Sequence, residues 1–156
     1  MQRPVLGEAM TNSVIASDRG GHSQASHQLP GKSLRGGLVL VVDDEAMVLM
    51  GYRMLFESWG YRVLAARSGE DAMDQLADHP LPPDAIVADF RLTEGRTGVE
   101  VVRQVEHRYG GSIPAILVTG DTAADRLREA IGSGLPVLHK PVNGRKLQAL
   151  LEELLA

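Results

Sequence analysis

Apolar positions along this chain follow two regimes that change over near residue 38. Across residues 1–37 no apolar period is sustained: Gly, Ser, His, Gln and Asn recur, and Pro30, Gly31, Gly36 and Gly37 punctuate the end. This pattern predicts a disordered N-terminal tail. Its one exception is Glu8 to Ala16, where Met10, Val14 and Ile15 could line a helix too short to persist alone. From Leu38 the run LVLVV (38–42) is continuously apolar and ends in Asp43-Asp44, as a strand buried on both faces would. Ala46 to Trp59 then predicts a helix. Val48, Tyr52, Leu55 and Trp59 recur at spacings of four, three and four on one face, and Gly60 is placed to stop it.

The alternation continues to the end of the chain. A short strand (61–65), a helix (70–78) and the turn cluster His79-Pro80-Leu81-Pro82-Pro83 lead to AIVAD (85–89), a second apolar strand closed by an aspartate. A glycine-containing loop (91–98) precedes a helix (99–108) whose stripe is Val99, Val102 and Val105. A strand (113–119), a helix (122–131), a short strand (136–139) and a leucine-rich helix (144–154) complete the pattern. Five strands alternating with five helices predict an α/β fold: a five-stranded parallel sheet, right-handed crossovers and helices on both faces. In such a sheet functional groups gather at the carboxyl ends of the strands.

Composition narrows the possible partners. At 156 residues the chain is about one domain's worth. Residues 38–156 are the folded part, and they carry a net charge of -6 within a total of -4. No basic run is present, so nucleic acid is not an expected partner. No apolar stretch reaches the length of a membrane span and MQRPVLGEAM lacks the apolar core of a signal peptide, so no membrane association and a cytoplasmic location are expected. The absence of cysteine excludes disulfides, thiolate metal sites and a thiol nucleophile.

Reading off the strand ends gives Asp43 and Asp44, then Asp89, then Thr119, then Lys140 followed by Pro141. Crowded carboxylates repel one another unless a proton or a cation intervenes. An all-oxygen donor set of this kind suits Mg²⁺. A lysine beside it offers a point charge to a phosphoryl group, and a hydroxyl offers a further donor. Carboxylates are established nucleophiles toward phosphorus, and Asp89, on the central strand, is the natural acceptor, with Asp43 and Asp44 holding the metal. Plainer readings stand beside these: Asp44 as the cap of the helix from Ala46, and Lys140 as a surface lysine. Gly31-Lys32-Ser33 lacks the earlier glycine of a phosphate loop and precedes a strand. His22, His27, His79, His107 and His139 have no ligand spacing. Met47, Met50 and Met54 suggest either ordinary packing and helix propensity or an adaptable partner surface.

With VVDDE (41–45), VADFRL (87–92), LVTGD (117–121) and HKP (139–141), residues 38–156 resemble the receiver domain of two-component response regulators. The separations of 45, 30 and 21 residues along Asp44, Asp89, Thr119 and Lys140 are similar to that family's. The resemblance implies a flavodoxin-like (βα)5 fold with strand order 2-1-3-4-5. It implies that Asp89 accepts a phosphoryl group from the phosphohistidine of a sensor histidine kinase or phosphotransfer protein. It further implies that Asp43, Asp44, Asp89 and the backbone carbonyl of Arg91 bind Mg²⁺. Thr119 and the Gly120 N–H would bond the phosphoryl group, Lys140 would pair with it, and Lys140–Pro141 would be a cis peptide.

Two departures stand out. Val137 occupies the place of the family's aromatic switch, and Phe90-Arg91-Leu92-Thr93-Glu94-Gly95 replaces the usual Met-Pro turn, putting a long cation two residues past the acceptor. That cation could shield an acyl phosphate. The variant loop resembles receivers attached to hybrid sensor kinases. Because the sequence ends at Ala156, directly after the last predicted helix, the expectation is a stand-alone, single-domain response regulator that is not an enzyme toward other substrates and signals through a downstream protein target. A phosphate relay or sink is the alternative. A small-molecule aspartyl-phosphate phosphohydrolase is disfavoured, because Arg91 stands where that class has its second aspartate. A phosphorylation-independent interaction module is disfavoured by the complete acceptor set.

Overall fold

The computed structural model describes residues 36–156, so all of the predicted tail but Gly36 and Gly37, including its short helix and the Gly-Lys-Ser tripeptide, lies outside the described residues. The element order is β1 (Leu38–Val42), α1 (Ala46–Ser58), β2 (Arg62–Ala66), α2 (Gly69–Leu76), β3 (Ala85–Asp89), α3 (Gly98–Tyr109), β4 (Ala115–Thr119), α4 (Ala124–Gly132), β5 (Val137–His139) and α5 (Gly144–Leu155). All pairings are parallel, and the strand order is β2-β1-β3-β4-β5. The five-stranded α/β sheet with helices on both faces is therefore the one expected. Gly36 and Gly37 already belong to the hydrogen-bonded structure: the Gly36 N–H donates to the Gly60 carbonyl and the Arg62 N–H to the Gly37 carbonyl.

Strand alternation divides the interior into two apolar layers. Val39, Val41, Val87, Ile116 and Val118 face α1 and α5, whose Leu49, Tyr52, Phe56, Leu147 and Leu151 cover them. Leu40, Val42, Ile86, Ala88 and Leu117 face the opposite way, onto Leu76 of α2 and Val101, Val102 and Val105 of α3. This is why the central strands read as unbroken apolar runs: both faces are covered.

The stripe on α1 lies one position away from the one expected. Leu49, Tyr52 and Phe56 are buried, whereas Val48, Leu55 and Trp59 pack only partly against the core. Phe56 organises the layer, stacking on Tyr52 at 5.9 Å and meeting Trp59 and Tyr61 edge-on at 5.4 and 6.4 Å. Both spacings share Tyr52, and Met47, Met50 and Met54 make the remaining surface apolar as well, so periodicity alone marks no single face. Those methionines are 76%, 56% and 66% exposed, which settles packing against the core as the wrong explanation for them.

Side-chain caps define three of the five helix starts. Ser68 accepts the Asp71 N–H at the start of α2, and Thr97 and Glu100 form a reciprocal capping box on α3. Gly110, at φ 77°, closes α3 in the left-handed conformation. Asn143 accepts from Arg145 and Lys146 to start α5. The fourth strand begins at Ala115, two residues later than expected, although the Pro114 carbonyl still accepts from Ile86. Proline has no N–H to contribute to the ladder.

Candidate functional site

Register delivers the site. Val42 pairs with Ala88, Asp89 with Val118 and Thr119 with His139, so the residues just beyond β1, at the ends of β3 and β4, and just beyond β5 emerge along one rim. Asp43, Asp44 and Asp89 each offer a carboxylate oxygen, all within 4.8 Å of one another. Among the described residues this is the one group of acidic or imidazole side chains close enough to share an ion. Lys140 Nζ donates to Asp89 Oδ2 at 3.4 Å and stands 3.7 Å from Asp43 Oδ2. The Lys140–Pro141 peptide is cis.

Asp43 is buried at 1% exposure, and its Oδ1 accepts the Glu45 N–H at 2.9 Å, an Asx turn that leads into α1. Glu45, with no side-chain cap, is the residue flanking α1, so the capping reading of Asp44 fails. Asp44 instead offers its backbone carbonyl to Arg67 Nη2 at 2.9 Å, leaving its carboxylate to the cluster. Beyond Asp89 the chain turns and crosses itself: Arg91 bridges Thr97, with the Leu92 N–H donating to Arg96 and the Gly98 N–H to Phe90. These two bonds flank the bridge, so the Arg91 carbonyl lies outside the pairing and remains available as an oxygen donor.

Thr119 is buried at 1% exposure, and its Oγ1 accepts the Asp121 N–H at 3.0 Å. A methyl on Gly120 would stand 3.5 Å from Lys140 Cδ, so this glycine lies against the stem of the lysine. Two further residues complete the rim and were not singled out from sequence. Gly98 sits so close under β3 that a side chain would collide with the Asp89 carbonyl. Asp121, besides holding Thr119, takes Arg91 Nη1 on its Oδ1 at 3.1 Å. The Thr-Gly-Asp triplet carries the signal of the turn, since a threonine hydroxyl commonly accepts the N–H two residues on. Nothing in the local sequence signals the ion pair, which spans 30 residues.

Electrostatics follow from crowding. Burial, joined by the Asp43 charge, pushes the Asp89 carboxyl up to about 6, against the lowering pull of Lys140. Burial likewise raises Asp43, although its bond from Glu45 and the Lys140 charge oppose the shift. Lys140 is raised: burial alone would lower it, but Asp89 and Asp43 outweigh that. Tyr52, buried beneath the cluster, is raised by burial and then by Asp43 and Asp89, so its phenol stays protonated. A buried, all-oxygen acidic cluster with one lysine fits a hard divalent cation, which would relieve the repulsion that burial imposes. Beside the rim, a groove of about 330 Å³ opens between α1 and the segment after β5, lined by Val48, Gly51, Tyr52, Leu55, Pro141 and Val142 among others.

The assembled rim finds counterparts among known proteins. Residues 39–152 match the family model described as the response regulator receiver domain. The transcriptional regulatory protein ZraR of Klebsiella oxytoca is 34% identical over 119 residues, covering 76% of this chain and 26% of that protein. The sensor histidine kinase GacS of Pseudomonas protegens is 32% identical over 119 residues, covering 74% of this chain and 13% of that protein. The chain therefore spans about a quarter of the length of one of these relatives and about an eighth of the other. The crystal structure of a response regulator receiver domain protein from Clostridium thermocellum superposes with a TM-score of 0.66 at 23% identity, covering 76% of this chain and 94% of that one. Among the described residues no helix is long and apolar enough to cross a membrane. With the family model matched over nearly the whole described segment, this chain belongs to the response regulator receiver domain family of two-component signalling.

Proposed function

We propose that this chain is a signalling phosphoacceptor, taking a phosphoryl group from a partner's phosphohistidine onto Asp89. The observation that carries the proposal is the convergence of Asp43, Asp44 and Asp89 on one another with Lys140 Nζ 3.4 Å from Asp89. In the transfer a carboxylate oxygen of Asp89 bonds to phosphorus as the donor's N–P bond breaks. The bonding pair returns to the imidazole, which takes a proton from solvent, and the product is an aspartyl phosphate. With its carboxyl near 6, Asp89 is largely ionised at neutral pH and can attack. Lys140 pairs with the incoming phosphoryl oxygens, while the Thr119 hydroxyl and the Gly120 N–H supply further donors.

Asp43, Asp44, Asp89 and the Arg91 carbonyl would hold Mg²⁺, which when bound supplies charge neutralisation at the phosphoryl oxygens. Asp89 is modified within the chain itself, so no separate substrate is turned over, and the protein acts through a downstream protein partner in the cytoplasm. The phosphodonor, a sensor histidine kinase or phosphotransfer protein, approaches along α1, where the exposed Met47, Met50 and Met54 and the adjoining groove form an adaptable apolar surface beside Lys140. Likeness to a segment of a sensor histidine kinase favours, as the second reading, a relay or sink within a longer phosphotransfer chain.

The test is direct. Incubation with Mg²⁺ and acetyl phosphate adds one phosphoryl mass to the wild type and none to Asp89→Asn. Equal modification of the two proteins overturns the assignment.

A further inference from the structure

We propose that the Arg91–Asp121 ion pair is an exchange latch across the mouth of the acidic site: phosphorylation draws the Arg91 guanidinium off Asp121 and so releases the loop that holds Thr119. The inference rests on Asp89 being the acceptor and concerns how its modification is transmitted.

The pair joins the two loops that leave the ends of neighbouring strands, β3 and β4, with Arg91 Nη1 3.1 Å from Asp121 Oδ1. Its two ends are anchored differently. The Arg91 backbone is fixed by the bridge to Thr97 and the bonds on either side of it, yet its side chain is 55% exposed and can pivot. Asp121 has a 17% exposed side chain, and its N–H donates to the buried Thr119 Oγ1 at 3.0 Å. One residue thus holds both the guanidinium and the hydroxyl that the acceptor reading needs at the phosphoryl group.

A phosphoryl group on Asp89 changes the competition. It replaces one carboxylate charge by a dianionic group with three acceptor oxygens, only two residues from Arg91, and a planar guanidinium engages such oxygens in pairs. Once Arg91 turns to the phosphoryl group, Asp121 is left as an unpaired carboxylate beside a more negative site. With its tie to Arg91 gone, the loop between β4 and α4 can shift, and as the Asp121 N–H leaves Thr119 Oγ1 the threonine side chain can turn its hydroxyl, beside the Gly120 N–H, toward the phosphoryl group. Asp121 is accordingly a positioning residue. The latch sends the change into α4 through charge, and Val137, half-buried on β5, need supply neither a hydroxyl nor an aromatic ring.

Beryllium fluoride, a stable phosphoryl analogue, tests this by calorimetry with Mg²⁺ present on the full chain and on Arg91→Gln, Asp121→Asn and the double variant. Arg91→Gln weakens binding. Asp121→Asn tightens it by up to about fivefold, the ceiling for an exposed ion pair. In the Arg91→Gln background the Asp121→Asn change has no effect, which separates an exchange from the simple removal of a nearby negative charge. Weaker or unchanged binding in Asp121→Asn, or an equal gain in both backgrounds, overturns the latch alone. No binding by the wild type overturns the acceptor reading, and the latch with it.

Discussion

Replacing Asp89 by Asn removes a charge that the metal-free fold holds at a cost, and the protein becomes more stable as a result. Burial and the Asp43 charge raise the Asp89 carboxyl from 3.8 to about 6. A folded-state value above the unfolded one means the folded chain binds the proton more tightly. The stabilisation this provides is complete below about pH 4 and is lost as pH rises through 6. The two-unit difference corresponds to about 3 kcal/mol at neutral pH. For a domain of this size that is a shift in Tm of roughly 10 °C.

Thermal unfolding followed by circular dichroism, with chelator present and pH stepped from 4.5 to 8, measures the difference between wild type and Asp89→Asn. The variant's advantage is smallest at the acid end and grows to its plateau above pH 7. Mg²⁺ should then stabilise the wild type, by about 2.7 kcal/mol at one hundred times its Kd, closing most of the gap. A Tm difference that does not change with pH, or a wild type more stable than the variant in chelator at pH 7.5, would refute the claim that burial and like charge set the state of Asp89.

Other consequences follow from named contacts. Asp44→Ala should weaken Mg²⁺ binding by about tenfold or more in calorimetry, and an unchanged affinity would remove Asp44 from the site. Gly98→Ala drives a methyl into the Asp89 carbonyl and should cost about 1–3 kcal/mol in denaturant unfolding while slowing phosphoryl uptake; normal values for both would show that the turn can shift freely. Phe56→Ala empties the centre of the aromatic layer and should cost about 3–5 kcal/mol, with a smaller loss meaning that Tyr52, Trp59 and Tyr61 collapse into the space. Sustained turnover of small phosphomonoesters would contradict a site whose only acceptor is its own aspartate.

The parts of the fold legible in the sequence are those where burial leaves no choice. β1, β3 and β4 are covered on both faces, and only unbroken apolar residues suit that position, so the limits of β1 and β3, the end of β4, and Asp43, Asp89 and Thr119 at or just past those ends could be read directly. Asp43, Asp44, Asp89 and Lys140 then met in space because parallel strands emerge at a common rim. The face of α1 was hidden because Met47, Met50 and Met54 make its exposed side apolar as well. Gly98 was hidden for a different reason. Its necessity comes from the carbonyl of a residue nine positions earlier, and a glycine in a loop looks the same whether or not backbone approaches it. The role of Asp121 likewise depends on where the loop after β3 places Arg91, which no period or spacing encodes.

The distribution of packing also limits where this domain can change when Asp89 is modified. Asp43 and Asp89 are carried by strands buried on both sides, whose side chains interdigitate with two apolar layers and cannot shift without opening voids. The segments that join them across the rim are held differently: Arg91 is more than half exposed, and its link to Asp121 is a single ion pair. Whatever relieves the crowding of Asp43, Asp44 and Asp89, whether a cation or a phosphoryl group met by Lys140, acts on rigid strands at one end and weakly tethered loops at the other. Free energy released at the acidic cluster should therefore appear as movement of the Arg91 side chain, the loop beyond β4 and the start of α4, while the sheet and the bridged backbone after β3 stay fixed.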